Sequence, residues 1–396
     1  MSTVVKRLAR RRWFDLVDWL DERAAVRKLL MESLYHAVPV KGGWAYTLGS
    51  ATLALILLQL ITGIFLTMLY VPSWDQAWQS LDWIKQHDQF ASWIRGMHMW
   101  GAYILMLVIG LHMARTFYSG SYKRPRELNW ISGVILFLLV LGMAITGAFL
   151  PWDEAAYWTA VVVTNIPGYV PFLGHFIRTI WRGGELVGPL TLNRTFGIHI
   201  WLIPFLLFPM IGAHLLLLLK HGEHGAYFNY SGSYRMSPYA ADEPPPEDRS
   251  NEPPYPVGPI DSEWSVPLHT EDFYPGQTFK DALVSAVLIG AVFVLAVAIG
   301  APLEKAADPA TTTYTPVPEW FYLPLDQLLV AVPQLLIPLA LLLPGLGVLL
   351  LLAVPFLDRV PERSPWQRPW VTVPALIVIL FMVALTGLGA GRLFNL

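Results

Sequence analysis

Four histidines stand in stretches free of charged residues: His98 and His112 in one, His199 and His214 in another. Ionisable groups at membrane depth are costly and usually functional. A lone histidine in such a place can serve as a bond between helices; four, paired two by two, ask for more. The first pair is 14 residues apart and the second 15. On a helix both intervals span about 21–22 Å. Fourteen steps stop about 40° short of four turns, and fifteen overshoot by about 60°. Each pair therefore lies roughly on one face, at two depths. Two such helices offer one histidine each at each depth. A pair of imidazoles on opposite sides of a flat macrocycle suits haem iron. Zinc is poorly served, because two histidines leave two of its four positions unfilled.

A macrocycle between helices needs room. Gly49 and Gly63 repeat the interval of 14 residues, and so do Gly133 and Gly147. Each glycine alone reads as small-residue packing between helices; four in register suggest the same two cofactor layers, where a ring edge approaches the backbone. Arg95 and Arg194 stand just ahead of His98 and His199, and Arg115 just after His112. Haem propionates need cationic partners, although each arginine also suits an interfacial anchor. The chain holds no cysteine, which excludes disulfides, thiolate metal sites, iron–sulfur clusters and thioether-linked haem.

The elements that position these residues are membrane spans. Of 396 residues, 55% are hydrophobic and 14% charged, and the net charge is 27 − 29 = −2. A soluble domain carries about 25% charge. The balance excludes a disordered chain and leaves no basic domain to bind nucleic acid. Seven stretches lack Asp, Glu, Lys and Arg over a membrane-crossing length: 42–74, 96–114, 128–152, 195–219, 282–303, 327–357 and 369–391. The uncharged stretch 155–177 contains Asn165, Pro167, Gly168 and Pro171 and reads as two short surface helices. Lys123, Arg124 and Arg126 in one loop, and Arg359, Arg363 and Arg368 in another, place those loops and the N-terminus in the cytoplasm. No cleavable signal is expected: Trp13, Phe14, Leu16, Val17, Trp19 and Leu20 alternate with acidic residues, as in an amphipathic surface helix.

The expected fold is an all-α integral membrane protein with seven transmembrane helices, the first four forming a dihaem four-helix bundle. Residues 1–41 make the surface helix and entry, and 42–220 the four-span bundle with two short outer helices. Residues 221–280 are a polar cytoplasmic linker, and 281–396 a three-span half. The linker's centre, 242–256, has six prolines and five acidic residues and cannot bury a core.

One more carboxylate stands out. Pro318-Glu319-Trp320-Phe321-Tyr322 lies in the loop before the sixth span, on the same side as Pro151-Trp152. Apolar surroundings would favour neutral Glu319 and place it for proton transfer. A solvated helix start is the other reading.

Taken together, the four histidines and four glycines in register, Arg95 before Met97-His98, Lys123-Arg124-Pro125-Arg126-Glu127-Leu128, Pro151-Trp152, Leu192-Asn193-Arg194 and Pro318-Glu319-Trp320 resemble cytochrome b of the cytochrome bc complexes. The resemblance runs from about Asp18 to Gly391. The 15-residue interval, Pro-Trp-Asp and the seven spans look more like the plastid and cyanobacterial type, whose two halves are separate chains; here a linker fuses them, as in a bacterial form. The resemblance implies two non-covalent b-type haems and a bacterial inner membrane location. It implies oxidation of quinol at an outer site holding Pro318, Glu319, Trp320, Phe321 and Trp152. One electron leaves to a Rieske-type iron–sulfur protein and a c-type cytochrome. The other passes through the outer haem (His98, His199) and the inner haem (His112, His214) to a quinone at the inner face, near Glu32 and Lys220. A homodimeric complex among membrane lipid and coupled proton translocation are implied too. The plastid type tethers an additional haem through a cysteine; the matching residue is Thr47, so no covalent third haem is expected. The tyrosine that usually follows Pro-Glu-Trp is Phe321 here, with Tyr322 one place later.

Two other readings remain at this point. A dihaem anchor of a quinone-linked dehydrogenase would need neither the Glu319 loop nor the three-span half. A secondary transporter has no reason to place histidines in two layers.

Overall fold

The computed structural model describes residues 18–19, 21–23, 37–170, 172–221 and 270–393. Contacts divide the chain into two units, 1–46 with 222–282 and 47–221 with 283–396. In the first, β1 (Ala37–Pro39) pairs antiparallel with β2 (Thr270–Asp272), Val38 opposite Glu271. Residues 18–19 and 21–23 are helical. The rest of the expected amphipathic helix, Glu32 and linker residues 222–269 lie outside the described residues.

The second unit is built of helices. Among the described residues, seven are long and apolar enough to cross a membrane. The first contains α1 (Thr47–Thr67). A short helix, α2 (Ala77–His87), leads to α3 (Gln89–Tyr118) and α4 (Glu127–Ala148). Two short helices follow, α5 (Glu154–Asn165) and α6 (Gly174–Arg182), as expected for 155–177. The fourth span joins α7 (Pro189–Gly197) to α8 (Ile203–His221) through a π turn, Ile198–Leu202. The three remaining spans contain α9 (Thr278–Ala298), α11 (Leu342–Leu357) and α12 (Pro369–Leu393), with α10 (Leu323–Ala331) standing before α11.

Several expected spans have different bounds: the fourth runs Pro189–His221, and the fifth, Phe273–Ala298, begins inside the stretch expected as linker. The second begins at Gln89, not at 96, because Asp88 caps it: its carboxylate accepts the Ala91 N–H at 2.9 Å. The sixth is not continuous from 327. Val332 is extended and Pro333 cannot continue α10, so the chain restarts before Gln334–Leu357.

Helix α1 packs along α3, and α4 along α8. Leu55, Leu58, Leu105, Met106, Val140 and Leu207 fill the middle of this four-helix arrangement. The apolar surfaces of the spans elsewhere stay uncovered; on α12 Ile377, Leu380 and Phe381 are more than half exposed. That pattern suits lipid as the outer solvent.

The two halves are joined at both ends of the helices. Asp358, after α11, binds Lys123 at 2.8 Å and Arg368 at 3.0 Å and accepts the Tyr122 hydroxyl. Arg368 is fully buried beside the stacked rings of Phe117 and Tyr122 and donates to the carbonyls of Phe117 and Tyr118. At the other end Arg95 donates to the carbonyls of Ala301 and Pro302, and Trp100 to that of Gly300. Asp153 accepts the Glu304 N–H, and Lys305 pairs with buried Glu154 at 3.2 Å.

Candidate functional site

The four histidines meet across the bundle in two layers. His98 on α3 faces His199 in the π turn, with ring centroids 6.4 Å apart and planes at 72°. At the other depth stand His112 on α3, against Gly49, and His214 on α8, against Gly133. The π turn explains the unequal intervals. The Ile203 N–H bonds the carbonyl of Ile198, five residues back, so this turn takes one residue more than an α turn. His199 and His214 are thus related as by 14 α steps, not rotated past each other by 15.

Each expected glycine backs one histidine. A Cβ at Gly63 would lie 3.2 Å from His98 Cε1, and one at Gly49 3.3 Å from that of His112. The distances are 3.4 Å for Gly133 to His214 and 2.9 Å for Gly147 to His199. The glycines therefore let the imidazoles lie against the neighbouring helix.

Sequence reasoning missed the groups that hold the rings. Thr62 Oγ1 lies 2.8 Å from His98 Nδ1, Ser132 Oγ 2.8 Å from His214 Nδ1, and Thr146 Oγ1 3.0 Å from His199 Nδ1. The signal was legible: each hydroxyl residue immediately precedes one of the four glycines. Each hydroxyl donates its own proton to a carbonyl one turn back: Thr62 to Leu58 at 2.7 Å, Ser132 to Asn129 at 2.8 Å, Thr146 to Gly142 at 2.7 Å. Its oxygen is left to accept. Nδ1 therefore carries the hydrogen in these three rings, and Nε2 keeps the lone pair a metal needs.

These residues fit a bis-imidazole iron centre. A metal between two imidazole nitrogens takes about 2 Å on each side; two ring radii make up the remainder of the 6.4 Å between His98 and His199. Among the described residues no group of three or more His, Asp or Glu gathers, so a multidentate protein cage is not the competing arrangement. Of the arginines expected beside the layers, Arg95 grips the 301–302 carbonyls and Arg194 donates to the Ile180 carbonyl. Arg115 lies one turn beyond His112, at the end of α3.

A cavity of about 250 Å³ opens beside α4. Leu141 and Ile145 of α4, Val162 of α5, Ile166, Pro318 and Tyr322 are among its walls. The Tyr322 hydroxyl donates to the Leu141 carbonyl at 2.5 Å, while Phe321 turns to Tyr103, ring centroids 5.9 Å apart. Trp320 packs edge-on against Phe321. Glu319, beside Pro318, has a buried carboxylate oxygen with no bonded partner. Burial among these rings holds its carboxyl above the ordinary range. Trp152 is 2% exposed and sits in an aromatic cluster, 5.3 Å from Trp74 and 5.9 Å from Tyr157. Lys220 stands at the end of α8.

The family model described as cytochrome b/b6/petB matches residues 32–222, and that described as cytochrome b (C-terminal)/b6/petD matches 306–393. A cytochrome b from Rickettsia conorii is 32% identical over 359 residues, covering 89% of this chain and 81% of that one. A menaquinol:cytochrome c reductase cytochrome b subunit from Geobacillus thermodenitrificans is 37% identical over 218 residues, covering 53% of this chain and 97% of its own. A cytochrome b6 from Synechococcus matches a similar portion, 52%, at 35% identity over 95% of its length. A solved chain of a hyperthermophilic respiratory complex III superposes with a TM-score of 0.74 at 27% identity, covering 94% of this chain and 91% of that chain. The chain is a multi-pass membrane protein, and it belongs to the cytochrome b family.

Proposed function

We propose that this chain is the cytochrome b subunit of a bc-type quinol–cytochrome c oxidoreductase, with two b-type haems between its first four spans. The facing His98 and His199 rings, backed by glycines and held through Nδ1, carry this reading. When bound, the haems supply one-electron carriers at two depths of the membrane. His98 with His199, and His112 with His214, would hold the two haems. Arg95, Arg115 and Arg194 are the cations nearest in sequence to those layers.

The cavity beside α4 is the proposed quinol site. Its walls are apolar enough to take a quinone ring from the bilayer and exclude water. Glu319 is the proposed acceptor of a quinol proton: it follows Pro318 of the cavity wall, and although neither it nor Trp320, Phe321 or Trp152 is among the wall residues, one of its oxygens is buried without a bonded partner. The positive loops favour an outer position for this cavity and a cytoplasmic N-terminus in a bacterial inner membrane. Lys220 and Glu32 are proposed for the quinone site at the inner face. A Rieske-type iron–sulfur protein, a c-type cytochrome and a second copy of the chain complete the proposed complex.

The test is a redox titration of the purified complex with haem counted per chain after acid–acetone extraction. Two extractable haems with separate potentials are expected. His98→Ala should remove one and leave the other; one haem or none in the unaltered chain would sink the reading.

A further inference from the structure

We propose that Asp326 is a second catalytic carboxylate of quinol oxidation: it stands on the wall of the cavity beside α4 and takes one of the two quinol protons, while Glu319 takes the other. The inference rests on the quinol-site reading above.

Helices α4 and α5 give the cavity apolar side chains and Thr159, none of them ionisable. The remaining wall is α10 with the residues that lead into it. Tyr322, Asp326 and Leu329 follow one another there at intervals of four and three residues, with Leu325 beside them, so they share one face of the helix. The Asp326 N–H donates to the Tyr322 carbonyl at 3.0 Å, which closes the first turn and fixes Asp326 over that face. Among the described wall residues Asp326 is the one carboxylate, and Tyr322 is the one other ionisable side chain. The Tyr322 hydroxyl is committed to the Leu141 carbonyl.

An acidic residue in a first turn is commonplace at a solvated helix start. Here Leu325 and Leu329, its neighbours on that face, line the same apolar cavity. The carboxylate therefore belongs to the pocket. A polar group in such a pocket either orients the ligand or exchanges a proton with it. A quinol carries its two hydroxyls on opposite sides of the ring and gives up two protons with two electrons. At Asp326 one quinol O–H bond breaks and an O–H bond forms on the carboxylate. The other hydroxyl loses its proton to Glu319 in the same way. The electrons leave to the one-electron acceptors of the proposed complex, an iron–sulfur protein and a b-type haem, and the product is the quinone. A single carboxylate would have to discharge the first proton before it could take the second; two carboxylates remove that wait.

The experiment is steady-state oxidation of a short-chain quinol by the intact complex, with haem counted first. Asp326→Asn should lower kcat about 10²-fold, the usual worth of a positioned base, with KM little changed. Asp326→Glu, which keeps the acid, should restore most of the rate. Asp326→Asn combined with Glu319→Gln should be slower than either change alone, because each carboxylate takes its own proton. An unaltered kcat in Asp326→Asn overturns the inference. A rise in KM alone does so too, since Asp326 then only orients the ring, as does a double variant no slower than Glu319→Gln. Leu329→Trp, which fills the cavity, separates this inference from the reading beneath it. Unaltered kinetics in Leu329→Trp overturn the quinol cavity itself, whereas impaired Leu329→Trp beside unimpaired Asp326→Asn overturns only the proton role. If Asp326→Asn fails to assemble, labelling of the unaltered complex decides. A hydrophobic carbodiimide, which modifies carboxyl groups in apolar surroundings, should react at Asp326, and a short-chain quinone should block it. No reaction, or one that the quinone leaves undiminished, overturns the proposal.

Discussion

At each histidine the ring is fixed from two directions, by a glycine behind it and, for three of the four, by a hydroxyl on Nδ1. The tolerance behind the ring differs. A Cβ at Gly147 would lie 2.9 Å from His199, inside contact distance, while at Gly133 it would lie 3.4 Å from His214. Gly147→Ala should displace His199 and deplete one haem, and Gly133→Ala should keep both; the haem absorbance of the purified variants reports it. At Glu319, burial raises the carboxyl pKa above its ordinary value. A protonated carboxyl cannot accept a proton, so quinol oxidation should fall as pH drops through that raised value. Glu319→Gln should abolish this acid limb and slow turnover by about 10²-fold or more, the usual worth of a positioned base. An unchanged pH–rate profile with both haems in place would refute the proton role.

The π turn gives the fourth span its working register. It takes up the residue by which the 199–214 interval exceeds the 98–112 interval. Deleting Ile200 should let the turn relax to α geometry with His199 and His214 still on one face, and both haems retained. Inserting an alanine after Leu206 adds a step of about 100° and 1.5 Å between the two histidines. That variant should lose a haem, which an extraction count will show. The break before Gln334 ends α10 after Leu325 and Leu329 have joined the cavity wall.

Across the whole of the second unit, the two halves depend on charges buried at one end and carbonyls gripped at the other. Asp358 is enclosed by Lys123, Arg368 and Tyr122. Burial alone would raise its pKa, but the bonds from Lys123 and Tyr122 and the neighbouring cations lower it below the ordinary range. Its contribution to stability is therefore present above the ordinary carboxylate value and is lost as pH falls through the lowered one. Asp358→Ala leaves two cations buried without their partner, a loss of about 3–5 kcal/mol. Thermal unfolding should drop accordingly, and hydrogen exchange in α11 and α12 should rise before that in α1 and α3. Equal exchange in all four helices would show that the clamp does not join the halves.

The sequence by itself determined the seven spans and the pairing of the histidines at two depths, and it singled out the four glycines as room for a macrocycle and Glu319 as a candidate proton acceptor. These follow from apolar length, from the 3.6-residue period and from residue chemistry, all of which are local. The structure sets those glycines against the histidine rings instead. The positive charges of Lys123, Arg363 and Arg368 also read correctly as one set of loops, but not as structure: Arg368 and Lys123 are spent on Asp358, more than 230 residues from Lys123 in sequence. Only the tertiary structure decided which glycine meets which histidine, that Thr62, Ser132 and Thr146 hold Nδ1, and that Tyr322 rather than Phe321 reaches the cavity. It also decided that one turn of the fourth span is a π turn. Each of these depends on how one helix lies against another, and a spacing along the chain carries no record of that until the helices are packed.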